Sequence, residues 1–432
     1  MHDLDTMRSG TLRRIVRTMA ATVMGMALVM VSAGCGEASP SARGSASPSP
    51  SPSSSAASPS RSPAVRPSAS AAPTASAEAG GSSDSAERRA ERTLAGMSVE
   101  EKVGQLMMVP LFSGDDPSSI RSMIADDHVG SVLLIGNWSD GVAGVSKASS
   151  ALQGYSPKGR GLLICADQEG GQVQHLKGPG FSDIPSAVEQ GRMTVDALRG
   201  SARTWGGQLK AAGVNVDLAP VADTVASASR KWNAPIGALD RDFGLSAVDN
   251  GRHAAAFVNG MHDAGVMAVV KHFPGLGAVS GNTDFTADGI TDRTTTLDAG
   301  AGGQVEGFRQ ALVAGPDMVM MSLATYDAID GTQPAAFSSR IVNGYLRSTL
   351  RYRGVVTSDS MSAEAVGSVP TDQLGVRFVS AGGDLICIGD GNDVDPILRG
   401  LLERAERDPS FARQVDQAAL RVLTLKARAG LV

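Results

Sequence analysis

Aromatic residues make up only 4% of the 432 positions, and there are three cysteines. So few aromatics leave no stacking platform for single-stranded nucleic acid. The formal charge of -5 gives no basic surface for a phosphate backbone, so nucleic acid is excluded as a partner. Three cysteines cannot build a disulfide framework, and no Cys/His spacing suggests a metal site; neither a metal nor another cofactor is expected. Cys165 and Cys387 lie inside the apolar runs "GLLICAD" and "DLICIG" and read as small buried residues. Sequence does not place them within reach of each other, so a disulfide between them stays open.

The third cysteine has a different setting. Arg8, Arg13, Arg14 and Arg17 precede the apolar run "MAATVMGMALVMVSAGC", which ends on Ser32-Ala33-Gly34-Cys35. A basic region, an apolar core and a small-residue exit describe an export signal over 1–34. The cysteine after the small residues resembles a bacterial lipobox, which makes Cys35 the lipidation site. Ordinary secretion and an uncleaved anchor remain the alternatives. From residue 35 to 86 the chain is mostly Ser, Ala and Pro and buries almost nothing, so it is expected to be a disordered tether. The protein is thus expected on the outer face of a cell membrane, touching lipid only through its anchor.

From residue 87 to 432 short apolar runs alternate with longer amphipathic stretches. The runs are "VGQLMMVPLF", "VGSVLLIG", "GLLICADQEGG", "VNVDLAPVAD", "VMAVVKHFPG", "DMVMMSL", "GVVTSDSM" and "GDLICIGD". Their Val, Ile, Leu and Met content fits strands buried on both faces. Eight strand–helix units predict an α/β fold, a single (β/α)8 TIM-type barrel. A doubly wound open sheet is the runner-up. Polar residues cluster at the run exits: Asp167 and Glu169, Lys271 and His272, Ser358 and Asp359, and Asp390. In a barrel all of these gather at one face, where converging carboxylates and bases suit a hydroxyl-rich ligand. Asp390, beside "GDGND", reads better as a turn cap.

"MSVEEKVGQLMMV", "DQEGGQVQ", "DLAPVAD", "IGALDRDFG", "KHFPGLG", "YLRSTLRYRGVVTSDSM" and "SAGGDLI" follow one another in this order. Together they resemble the single-domain β-N-acetylglucosaminidases of glycoside hydrolase family 3. The resemblance implies a barrel, exo-cleavage of terminal β-linked N-acetylglucosamine with retention, no metal, and cell-wall fragments (muropeptides) as substrate for a monomeric enzyme. It also implies that Asp359 is the nucleophile and that Asp167, Arg241, Lys271 and His272 bind the sugar. The residue types agree with these roles. Asp359 must be ionised to attack, which nearby Lys271 and Arg241 favour. Asp167 accepts from sugar hydroxyls, and Lys271 and His272 donate to others.

The chain departs from the family pattern at four places. Leu276 stands where the family has the second histidine of its "KHFPGHG", and Asn282-Thr283-Asp284 stands where it has Asp-Ser-His. Gln172 replaces an arginine, and Ser322-Leu323 replaces a histidine on the sixth strand. The family's acid/base is the histidine whose place Asp284 takes. A carboxyl there can do the same work, since retaining glycosidases commonly pair two carboxyls. Asp284 would need a raised pKa and is expected to be oriented by Asn282; Asp288 is a second candidate. The loop is Gly-rich and polar, a composition that permits closure over substrate. A carboxylate in the histidine's place repels phosphate, so hydrolysis is expected over phosphorolysis. A β-glucoside or β-xyloside specificity, or a sugar-binding lipoprotein without turnover, are the competing readings.

Overall fold

The eight apolar runs form eight parallel strands: β1 (Met107–Phe112), β2 (Ser131–Ile135), β3 (Leu163–Ala166), β4 (Val216–Asp217), β5 (Met267–Phe273), β6 (Met318–Met321), β7 (Val355–Ser358) and β8 (Ile386–Cys387). They neighbour one another in chain order from β1 to β7, and β8 pairs with β1. A parallel bridge between Thr357 and Leu385 joins the two ends, so the sheet is a barrel and the open-sheet alternative falls away. The computed structural model describes residues 76–432 apart from 299, 301 and 302, with side chains from residue 85 onward. The export signal, Cys35 and most of the tether lie outside the described residues.

Crossovers between successive strands are helical. Two short turns, Pro117–Ile120 and Arg121–Ala125, join β1 to β2. Ahead of β1 lies α1 (Ser76–Ala95), and the later crossovers are α2 (Gly141–Tyr155), α3 (Val195–Ala211), α4 (Ala247–Ala264), α5 (Gln304–Leu312), α6 (Arg340–Thr349) and α7 (Thr371–Ala381). The chain ends with α8 (Val394–Arg407) and α9 (Pro409–Arg428). Their limits follow the side chains. Ser246 Oγ accepts from Asp249 N at 3.2 Å to start α4, and Gly265 ends it at φ 77°, a conformation that costs glycine little. The first turns of α1 fall in the stretch that composition assigns to the tether. Further along, Ala86 and Ala90 are buried, Ala90 beside Leu423 of α9. Among the described residues no helix is long and apolar enough to cross a membrane.

Parity along the strands decides which side chains reach the barrel interior. Met108, Leu133, Cys165, Leu218, Val269, Met320, Val355 and Cys387 share the inner core, while Val109, Val132, Leu134, Ile164, Val270, Val319 and Val356 pack outward against helices. Cys165 and Cys387 are free thiols, buried as their apolar settings predict. Two residues beyond inward-facing Cys165 comes Asp167; two beyond Val269 comes Lys271; four beyond Val355 comes Asp359. The polar exits therefore top the same interior column.

Candidate active site

Buried charge at the strand exits is arranged as a ladder. Lys271 Nζ lies 2.5 Å from Asp167 Oδ1 and 2.6 Å from Glu169 Oε1. Arg241 grips the same Glu169 through Nε and Nη2 at 2.9 and 2.7 Å, and its Nη1 donates to Pro235 O at 2.8 Å. His272 Nδ1 sits 2.7 Å from Asp223 Oδ2, and its Nε2 faces Arg241 Nη2 at 3.4 Å. Beyond β4 the chain stays beside β5, with Lys271 N donating to Pro220 O and Ala222 N to Lys271 O. That course brings Asp223 to His272.

Alternation of sign lets these groups stay charged out of water. Burial would raise the Glu169 carboxyl, but the charges of Arg241 and Lys271 outweigh it and hold its pKa far below the usual carboxylate range. Burial would likewise release the Lys271 proton, and Asp167 and Glu169 outweigh that and raise its pKa. The two ring nitrogens of His272 thus lie between Asp223 and Arg241. Sequence reasoning made His272 a donor to sugar hydroxyls; in the fold its Nδ1 faces Asp223 and its Nε2 faces Arg241. Asp167 keeps the most open edge of the ladder, with 19% of its side chain exposed against 2% for Lys271.

Asp359 follows β7 and is half-buried. Its N–H donates to Met321 O at 3.1 Å, and its Oδ1 accepts from Ser360 N at 2.9 Å. Lys271 and Arg241, expected beside it, hydrogen-bond Glu169 and Asp167 instead. Asp284 arrives from the connection after β5. Glu364 N donates to Asp284 O at 3.2 Å and Ala365 N to Thr283 O at 3.1 Å. The loop whose composition permits closure over substrate is thus tied by its backbone to the stretch that follows Asp359. Asn282 does not orient the Asp284 carboxyl: its Oδ1 accepts from Asp284 N at 3.0 Å and shapes the turn.

The Asp284 side chain is exposed, yet the charges of Asp359 and Arg241 act on it. Desolvation first, then the charge of Asp359, push its pKa up to about 6, against the pull of Arg241 and His272. Because water reaches this carboxyl, its desolvation is that of a crater wall and not of a core. Asp288 is exposed, with its N–H donating to Thr286 Oγ1, and no contact ties its carboxylate to the ladder. Asp390 caps its turn by accepting from Asn392 N. No group of His, Cys, Asp or Glu among the described residues is arranged to hold a metal ion.

Residues 98–425 match the model of the glycosyl hydrolase family 3 N-terminal domain. The chain belongs to glycoside hydrolase family 3. It is 30% identical over 341 residues to β-hexosaminidase LpqI of Mycobacterium tuberculosis, covering 76% of this chain and 83% of that one. A β-hexosaminidase of Stenotrophomonas maltophilia is 30% identical over 310 residues, covering 69% and 88%. Among solved structures, a β-N-acetylhexosaminidase from Beutenbergia cavernae superimposes with a TM-score of 0.73 at 40% identity, covering 76% of this chain and 98% of that one.

In this glycoside hydrolase the departures from the family motifs have distinct fates. Leu276 is buried at 1% exposure, with its backbone held by Asp223 Oδ1 and Asn233 Nδ2. Gln172 is exposed at the turn after Asp167. Ser322 is buried and accepts from Tyr326 OH at 3.0 Å. Of the four, only the Asn282-Thr283-Asp284 change sets a new ionisable group in the crater. Glu169 was named among the strand exits but given no role, and Asp223 was missing from the residues singled out by sequence. The signal for both was their place at the ends of "DQE" and "DLAPVAD", directly beyond strands three and four.

Proposed function

We propose that this chain is a retaining exo-β-N-acetylglucosaminidase that hydrolyses terminal β-linked N-acetylglucosamine from peptidoglycan fragments. The observation that carries this reading is the pair formed by Asp359 and a backbone-anchored Asp284 whose pKa is raised to about 6. β-Hexosaminidases at 30% identity and above support the glycone. Substrate hydroxyls would meet Asp167 at the open edge of the ladder, above the buried Lys271 and Glu169.

In the first step the Asp359 carboxylate attacks the anomeric carbon while the Asp284 carboxylic acid gives its proton to the glycosidic oxygen. The leaving alcohol departs and a glycosyl ester on Asp359 remains. Asp284, now ionised, then takes a proton from water as that water attacks the same carbon and frees Asp359. A carboxylate at this step disfavours phosphate as acceptor, so water is the nucleophile. The amino-terminal signal, and relatives that include a secreted glycosyl hydrolase of Arthroderma benhamiae at 28% identity, support an exported enzyme held outside the membrane through Cys35.

The test is release of a chromogenic phenol from its β-N-acetylglucosaminide. We expect Asp359→Ala to lose about 10⁴-fold or more in kcat. Asp284→Ala should lose less, because an aryl leaving group needs little acid help, and azide should restore its rate by forming a glycosyl azide. Asp284 must be protonated for the first step, so wild-type kcat/KM should fall as pH rises through about 6. That limb should vanish in Asp284→Ala. In phosphate buffer the product should be the free sugar. An inert wild type that still binds N-acetylglucosamine would make the protein a sugar binder instead.

A further inference from the structure

Large apolar side chains left in water fall into two sorts. Among the described residues they are three valines, Val99, Val195 and Val313, and three aromatics, Phe112, Trp232 and Phe285. The valines sit singly at helix ends, which is ordinary for a protein surface. All three aromatics lie at the carboxyl ends of barrel strands. Phe112 is the last residue of β1, Trp232 belongs to the connection after β4, and Phe285 follows Asp284 after β5. Trp232 is 76% exposed and Phe285 54%, whereas the other tryptophans, Trp138 and Trp205, are buried at 7% and 6%.

The backbones beneath Trp232 and Phe285 are fixed and joined. Asn233 is buried, and its Nδ2 donates to Leu276 O and Val279 O at 2.7 Å each, while its Oδ1 accepts from Gly237 N at 2.7 Å. Two residues on, Pro235 O holds Arg241 of the ladder. Phe285 is held in turn by the bonds from Glu364 and Ala365 to Asp284 and Thr283. Rigid aromatic surface on one rim, in a chain with so few aromatics, suits a partner with a flat apolar face.

The geometry points to an aglycone subsite in which Trp232, with Phe285, stacks on the pyranose ring released by cleavage. This rests on the glycosidase reading above. There Asp284 marks the glycosidic oxygen, so the departing ring leaves past Asp284, beside Phe285 and toward the Trp232 loop. A pyranose offers axial C–H bonds on one face, the surface that an indole covers.

The test compares N,N′-diacetylchitobiose, which fills the subsite, with N-acetyl-β-glucosaminyl fluoride, whose leaving group cannot. In Trp232→Ala the ratio of kcat/KM on the disaccharide to that on the fluoride should fall about tenfold, and Trp232→Phe should recover most of it. Separately, tryptophan emission is followed in Asp359→Asn as sugar is added. Trp138 and Trp205 are buried, so a blue shift with the disaccharide but not with N-acetylglucosamine reports Trp232 being covered. An unchanged ratio, or emission that stays put whether or not the disaccharide binds, overturns the subsite. If wild type cleaves neither substrate, the glycosidase reading fails, and the emission arm still decides the subsite.

Discussion

Two lysines are sealed inside this barrel, one at each end, and they keep opposite company. Lys271, 2% exposed at the catalytic end, touches two carboxylates, and its pKa is raised. Lys426, 0% exposed, comes from the last turn of α9 and lies under the opposite mouth. Its Nζ donates to Gln105 Oε1 at 2.6 Å, just before β1, and Gln105 in turn donates to His128 O. Burial without a carboxylate lowers the Lys426 pKa to about 7. One fold thus shows both outcomes of burying an amine: paired, it keeps its proton firmly; unpaired, it gives it up near neutrality. The end with the polar strand exits collects charge and supplies the counter-ions. The other end only has to be closed.

Removing the shared counter-ion should break the comparison most sharply. Glu169→Ala leaves Arg241 and Lys271 facing each other with Asp167 as the nearest remaining carboxylate. We expect a loss of about 3–5 kcal/mol in urea unfolding, as for a buried pair stripped of one partner, together with loss of glycosidase activity. Glu169→Gln keeps an acceptor and should lose less. If Glu169→Ala unfolds like wild type, the ladder is not what keeps Lys271 charged.

At the other end the sign reverses, and Lys426→Met should stabilise. The folded pKa is about 7 and an unfolded lysine titrates near 10.4. Between those values the unfolded chain binds more protons, so stability rises with pH across that window. The penalty is complete below about pH 7 and gone above pH 10. The gain from Lys426→Met should be on the order of 4 kcal/mol at pH 6 and small at pH 10, read from denaturation at the two pH values. A gain independent of pH would mean that packing, not charge, sets the effect.

The barrel was legible because its strands are short apolar runs with polar exits, and strand parity carried Asp167, Lys271 and Asp359 to one place. The partners within that place were less legible. Glu169 reads as one of the polar exits, but nothing in "DQEGG" says that it takes both Lys271 and Arg241. Asn282 beside Asp284 looks like an orienting amide, but its spacing suits a turn equally, and the backbone took it. Lys426 was wholly hidden. In "LTLKARAG" a lysine near a helix end reads as a cation favoured by the helix dipole, and only the docking of α9 under the barrel buries it.

Asp217 sharpens the contrast with the smallest effect. It lies in β4 close to Lys271, yet inward-facing Val216 and Leu218 flank it, so parity turns it out of the crater. Its Oδ1 accepts from Gln168 N at 3.1 Å and its Oδ2 has no partner. Burial pushes its pKa up to about 8, although the charge of Lys271 opposes this. An unfolded aspartate titrates near 3.9, so between that value and about 8 the folded state binds more protons and stability falls as pH rises. Asp217→Asn keeps the acceptor and removes the titration. Its stability relative to wild type should therefore rise by about 3–4 kcal/mol between pH 5 and pH 8. Parallel curves for the two proteins would mean that Asp217 is ionised in the fold, and that Lys271 reaches across the strand to a third carboxylate.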